Sequence, residues 1–221
     1  AVTLASDGTC TVKATNKSNR NLWINGACLI AQRSTAASST NGIKTVDRYY
    51  YESGSTTAAP TFGQADVTSG GAYDAGFRKC VKITNGNQTG GAGTGTTVEF
   101  MYNFEAQDLA NSGWNYKSAS SYITLSFWIK SSVAQNFYGY FRARDGSAQM
   151  YSFDTGSLSA DTWTKVTKTI PGNSNLTFDN DTGNGLTISF DAYRGTSAGG
   201  NGATLHTWFA ENNATRTPAQ T

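Results

Sequence analysis

The sequence predicts an all-β protein, an antiparallel β-sandwich with one short helical turn at most. Three observations lead there. In residues 121–132 (SYITLSFWIKSS), Ile123, Leu125, Phe127 and Ile129 alternate with Thr124, Ser126, Trp128 and Lys130, the period of two expected of a strand with one face on a core. Further short runs repeat that period between stretches rich in Gly, Ser, Thr and Asn, the punctuation of strands and turns. Helical periodicity is almost absent. With 221 residues, 12% of them aromatic and only 14% charged, the chain can bury one large β core and is poorly suited to disorder. Residues 121–132 read as a central strand.

Taken in order, residues 1–20 are polar with weak alternation at Cys10, Val12 and Ala14, and read as a lead-in arm holding one strand. The sandwich is expected over residues 21–221. It begins at 21–26 (NLWING), passes through a loop at 34–41 and reaches a strand at 46–52 (VDRYYYE), followed by loop at 53–59. Residues 78–84 put Lys79, Val81 and Ile83 on one side and Cys80 and Lys82 on the other. A Gly-rich connection follows at 85–97; it lacks the Gly-Lys-Ser/Thr ending and the helix of a phosphate loop. Residues 98–105 alternate Val98, Phe100, Tyr102 and Phe104 against Glu99, Met101, Asn103 and Glu105, and 105–111 is the one passable helical turn. Strands are then expected at 137–144, 149–153 and 163–170, and at 185–195, where Leu186, Ile188 and Phe190 point in and Ser189, Asp191 and Tyr193 point out. Pro60, Pro171 and Pro218 fall in connections, as strand interiors require. This spacing of short strands indicates a sandwich or jelly roll.

The totals exclude several classes of function. A net charge of +2 with scattered basic residues gives no nucleic-acid footprint. There is no apolar stretch of membrane-spanning length and no signal-peptide pattern, so membrane insertion is not expected, and the chain is either kept in the cytosol until release or has already lost a leader. Cys10, Cys28 and Cys80 are an odd set with no zinc spacing; reduced, packed thiols are the expectation.

Few residues offer chemistry. Residues 195–199 (GTSAG) match the nucleophile elbow, but glycines rather than a helix follow, and no acid lies between Ser197 and the single His206. Glu99/Glu105 and Asp145/Asp154 are the acid pairs expected on neighbouring strands, and solvated sheet faces account for both. Asp179 and Asp181 sit in a DNDTG turn resembling half of a calcium loop without its bidentate glutamate; a structural calcium there is the only cofactor to consider. The richest constellation is 137–144 (FYGYFRAR). Phe137, Phe141 and Ala143 would face the core, leaving Tyr138, Tyr140, Arg142 and Arg144 on the other face, with Trp128 and Tyr193 also outward. Tyrosine rings and guanidinium forks suit sugars or acidic glycans, and equally a contact with a second subunit. In Asp47-Arg48 the two charges would point to opposite faces of a strand, partly burying Arg48 in a structural role, with Arg33 in the carboxylate's neighbourhood.

Four stretches together resemble the jelly-roll domain that recurs in virion proteins of tailed bacteriophages, especially of marine cyanobacteria. They are Asn21 to Gly26 with Gln32-Arg33 and Val46-Asp47-Arg48-Tyr49; LSFWIKSS at 125–132; SADTWTKVTKTIPG at 159–172; and 185–200 with Thr204-Leu205-His206-Thr207-Trp208. Tyr49 stands where that family usually has Trp. The match runs over residues 19–221, but the family's usual last strand is not found before Thr221: either it is missing from this sequence, or another segment or subunit completes the sheet, whose edge would otherwise be open to another chain.

The resemblance implies a non-enzymatic virion protein, assembled in the host cytoplasm, probing host-surface carbohydrate as a tail-fibre, tailspike or receptor-binding module. The alternatives are a capsid or tail decoration protein without a ligand site, and a carbohydrate-binding module of a secreted glycoside hydrolase. It also implies other virion subunits as partners, with a homo-trimer as the usual assembly.

Overall fold

The computed structural model describes residues 2–4, 6, 10–12, 21–87, 92–212 and 215–218. Its strands are β1 (Val2–Leu4), β2 (Cys10–Val12), β3 (Tyr49–Gly54), β4 (Thr61–Asp66), β5 (Lys79–Thr84), β6 (Thr97–Glu105), β7 (Tyr122–Ile129), β8 (Asn136–Ala143), β9 (Gln149–Ser157), β10 (Thr164–Pro171), β11 (Asn184–Arg194) and β12 (Trp208–Ala210). Two short helices, α1 (Gly71–Asp74) and α2 (Ala106–Ala110), interrupt them.

The protein is an all-β antiparallel sandwich. Its main sheet has six strands in the order β12-β9-β8-β11-β6-β3, and the ladders β10-β7 and β4-β5 lie across its inner face. The alternation read from sequence sets what meets in between. Val98, Tyr102 and Phe104 of β6, Phe141 of β8, Tyr151 and Phe153 of β9, and Leu186 and Ile188 of β11 form one wall of the core. Phe62, Leu125 and Ile170 come from the opposite ladders. Phe127 of β7 meets Phe190 of β11 edge-on at 4.9 Å between ring centroids, and Phe62 of β4 stacks on Tyr51 of β3 at 5.4 Å. Trp23, just before this body, covers one end of the core, 4.6 Å from Tyr102 and edge-on to Phe104 at 5.6 Å. Its indole N–H donates to the Tyr49 hydroxyl.

Gly139 shows why the inward positions of β8 are uneven in size. A Cβ there would come within 2.4 Å of the Ser189 carbonyl oxygen and 2.5 Å of the Phe153 ring. Only glycine lets β8, β9 and β11 close at that point.

Several expectations are corrected. Residues 121–132 do not make a central strand: among the described residues β7 pairs with β10 alone, and the centre of the main sheet is β8 and β11. Alternation reports which face is buried and says nothing about which neighbours a strand takes. The expected strand 46–52 starts only at Tyr49, because Arg48 has φ +77° and turns the chain. β4, α1 and β12 were not expected. Pro171 is the last residue of β10 rather than part of a connection, a position where its missing N–H is tolerated. The arm carries two paired strands, β1 and β2, in place of one; residues 13–20 lie outside the described residues, as does the Cys10 side chain. Cys28 and Cys80 are free thiols.

α2 forms where the helical turn was expected. It is fixed by tertiary contacts: the Ala106 and Gln107 N–H groups donate to the carbonyls of Gly183 and Asp181, taking up donors that a helix start leaves open.

Candidate functional site

Outward-facing side chains of the main sheet fall into cross-strand rows, and one row is unusual. Register places Glu52, Glu99, Asp191, Tyr138 and Asp154 side by side on β3, β6, β11, β8 and β9. Like charges on directly opposed positions destabilise a sheet. The chain answers with a bulge. Between Asp191 and Tyr193 the β11 register shifts by one residue, so that Asp191 opposes Glu99 while Arg194 opposes Thr97. Arg194 thereby joins the outward face, and Tyr193 turns toward the core side, opposite Val98.

The result is a sealed charge cluster. Arg194 donates to Glu99 Oε2 through Nη2 and to Asp191 Oδ2 through Nε, both at 2.6 Å, with its side chain 2% exposed. The Ser189 hydroxyl donates to Glu99 and lies 2.9 Å from Asp191 Oδ1. The Tyr140 hydroxyl donates to Glu99 Oε2 at 3.2 Å. Burial alone would raise the Glu99 carboxyl, but the Arg194 charge and the Ser189 hydrogen bond outweigh it and hold it below its ordinary value. For Asp191 burial wins, helped by the Glu99 charge against the pull of Arg194, and pushes it up to about 6.

Residues beyond β11 roof this cluster. Arg194 Nη1 donates to the Ala198 carbonyl, Arg216 Nη1 reaches the Tyr140 hydroxyl at 3.4 Å, and the Ser152 hydroxyl donates to the Arg216 carbonyl. Main-chain bonds from His206 to Ser152 and from Glu211 to Ala148 hold the same segment on β9. The two carboxylates that parity placed on a solvated face are therefore a structural clamp for the C-terminal segment.

This arrangement corrects the picture of an open Tyr/Arg platform. Tyr140 is 2% exposed and its hydroxyl is committed inside the cluster. Arg142 forms an ion pair with Glu211 of the roofing segment. Arg144 is exposed, with its Nε donating to Thr187 Oγ1, and Tyr138 is half-buried within the acidic row. Trp128 belongs to the other layer, where its indole lies against Gly71 at the start of α1. Tyr193, turned by the bulge, donates its hydroxyl to the Ala92 carbonyl. The six residues do not form one face. Parity failed for Tyr193 at the bulge, and it gave no hint of the roof over Tyr140.

The remaining singled-out residues are dispersed. Arg33 pairs with Asp47 at 3.0 Å, while Arg48 is half-buried, 3.9 Å from Glu105 and 5.8 Å from the Tyr102 ring centre. The acids that oppose Glu99 on its neighbouring strands are Glu52 and Asp191, not Glu105. Asp154 pairs with Lys168 and His206 rather than with Asp145. Asp181 accepts from the Gly183 N–H, and the Asp179 N–H donates to Asp145; among the described residues no three His, Cys, Asp or Glu side chains converge as a metal site. Ser197 is exposed on a 3-10 turn (Thr196–Ala198), not on a strand-to-helix elbow. No helix among the described residues is long and apolar enough to cross a membrane.

One open groove lies at the end of the sheet. Ile43, Arg48, Asn103, Phe104, Glu105 and residues 182–184 line a space of about 190 Å³. Its walls are the last residues of β6 and the loop whose carbonyls receive the first N–H groups of α2.

No protein-family model and no curated protein matches this chain. Among solved structures it is similar to the enzymatically active domain of tailspike protein 4 from bacteriophage CBA120, with a TM-score of 0.42 and 11% identity over 72% of this chain and 19% of that one. A likeness of that degree assigns neither family nor activity.

Proposed function

We propose that this chain is a non-enzymatic structural domain of a tailed-bacteriophage virion, and that it works by associating with further copies of itself. The virion setting is supported by the four stretches that resemble phage jelly-roll modules, which are often trimeric. The observation that carries the assembly reading is where the chain spends its covering segment. The polar face at 138–144, suited by composition to host glycans, is closed by residues from 195–212 and 215–218 of the same molecule. Among the side chains left open instead are Ile24 (52% exposed), Leu29 (62%) and Ile30 (49%).

Single exposed aliphatics are ordinary. These three belong to one tethered segment. The Asn25 side chain bonds both the N–H and the carbonyl of Ile30, and that carbonyl also accepts from the Asp47 N–H. The Ile24 N–H donates to the Tyr102 hydroxyl. Aliphatic side chains fixed on a rigid backbone are what a subunit contact needs. A tail-fibre shaft and a decoration protein both use such a contact, whereas the carbohydrate-binding module of a hydrolase does not require one.

Light scattering on the purified protein tests this. The expected mass is that of a homo-oligomer, a trimer by the resemblance, and Leu29→Glu with Ile30→Glu should return it to a monomer with an unchanged unfolding temperature. A wild-type chain that stays monomeric at all concentrations refutes the proposal.

A further inference from the structure

We propose that the groove between the end of β6 and residues 182–184 binds one neutral sugar unit, gripping two neighbouring hydroxyls. The proposal concerns a different surface from the assembly contact and stands without it.

The space, about 190 Å³, lies below the roughly 300–1,000 Å³ typical of drug-sized ligands and suits a single ring. Its chemistry is mixed in the way a polyhydroxylated ring demands. Ile43, 36% exposed, supplies apolar wall for ring C–H groups. Arg48 and Glu105 supply a strong donor and a strong acceptor that do not satisfy each other. Their closest approach is 3.9 Å, and their side chains are 36% and 34% exposed. A charge-assisted hydrogen bond would measure roughly 2.7–2.9 Å. The Glu105 Oε2 atom accepts from Gln107, which leaves Oε1 facing Arg48 and the groove. The exposed Asn103 side-chain amide is held at one end by Thr187 and Asn184, which leaves its other end to a ligand.

A hydroxyl both donates and accepts. One can donate to Glu105 Oε1 while accepting from Arg48, and its neighbour can hydrogen-bond the free end of the Asn103 amide. Arg48 and Glu105 cancel in charge, which favours a neutral sugar over a uronate. The site is also held ready. Arg48 keeps a left-handed backbone, φ +77°, a conformation that is rare for non-glycine residues. Its guanidinium lies over the Tyr102 ring. The opposite wall is fixed by the hydrogen bonds from α2 to Asp181 and Gly183. Preorganised polar groups reduce what binding must spend on ordering.

The experiment is saturation-transfer NMR of the full chain with methyl glycosides of neutral hexoses, each tried singly, and with methyl glucuronide as the charged control. At least one neutral glycoside should bind with Kd on the order of millimolar, as a single ring allows. Asn103→Ala, at an exposed position, and Arg48→Lys should each weaken it roughly tenfold, with oligomeric mass and unfolding temperature unchanged. Absence of binding by every neutral glycoside, a stronger response to the glucuronide, or binding that survives both substitutions overturns the assignment.

Discussion

Replacing Arg194 should be far more damaging than its place on a sheet's outer face suggests. The guanidinium stands 2.6 Å from each of two carboxylates that oppose one another on adjacent strands, in a site with 2% exposure. Arg194→Met keeps much of the side-chain volume but leaves Glu99 and Asp191 buried, with Arg216 as the cation nearest Tyr140. Breaking a buried ion pair from one side costs about 3–5 kcal/mol, because the stranded charge has lost both its partner and its water. For a chain of this length each kcal/mol moves Tm by roughly 2–4 °C, so thermal unfolding at pH 7 should shift down by roughly 6–20 °C. The loss should shrink at pH 5, where the stranded carboxyls can take up protons.

The control is Glu99→Gln/Asp191→Asn/Arg194→Met, which removes every charge that the single variant strands. It should recover more than half of the lost Tm, since a neutral replacement of a buried cluster is often close to neutral in stability. Circular dichroism melts of the three proteins at both pH values decide the matter. A single variant that loses less than about 3 °C at pH 7, or a triple variant no better than the single one, refutes the clamp.

Two further perturbations read other parts of the fold. Asp191 is raised from 3.8 to about 6, so the folded state holds that proton more tightly than the unfolded chain. Its contribution to stability is complete below about pH 4 and is lost as pH rises through 6, by up to about 3 kcal/mol. Glu99 is shifted down and acts in the opposite sense, losing its contribution as pH falls. Asp191→Asn should therefore flatten the pH 4–6 limb of the denaturant-measured stability curve, and a curve parallel to wild type refutes the assignment. Gly139→Ala should destabilise by about 1–3 kcal/mol or more through overpacking against the Ser189 carbonyl and the Phe153 ring; an unchanged Tm would mean that β8, β9 and β11 are packed less closely than described.

How much of this was readable in the chain divides along a physical line. Period-two patterns depend on one strand at a time, and there the reading holds: the inward sets of β6, of β8 at Phe141 and Ala143, and of β11 up to Phe190, and the single helical turn after β6, lie where alternation puts them; Phe137, beside the register shift between Asn136 and Tyr138, is not in the core cluster. Strand pairing depends on two segments, and there the reading weakens. Nothing local to residues 121–132 distinguishes a central strand from one of a two-stranded ladder, and the TFGQAD of β4 has too little alternation to announce a strand.

The charge cluster needed three further conditions at once. Glu99 and Asp191 had to share a register, one extra residue had to be inserted after Asp191, and a segment of irregular structure had to return over the sheet. Each outward acid was visible, as was the arginine three residues on. The bulge was not, since a shift of one residue leaves no mark in composition yet reverses every side chain beyond it. The same reversal took Tyr193 out of the expected platform and carried Arg194 into the clamp. A Tyr/Arg face read by parity as a place for a partner is, through that one insertion and the segment it anchors, the place where the chain binds itself.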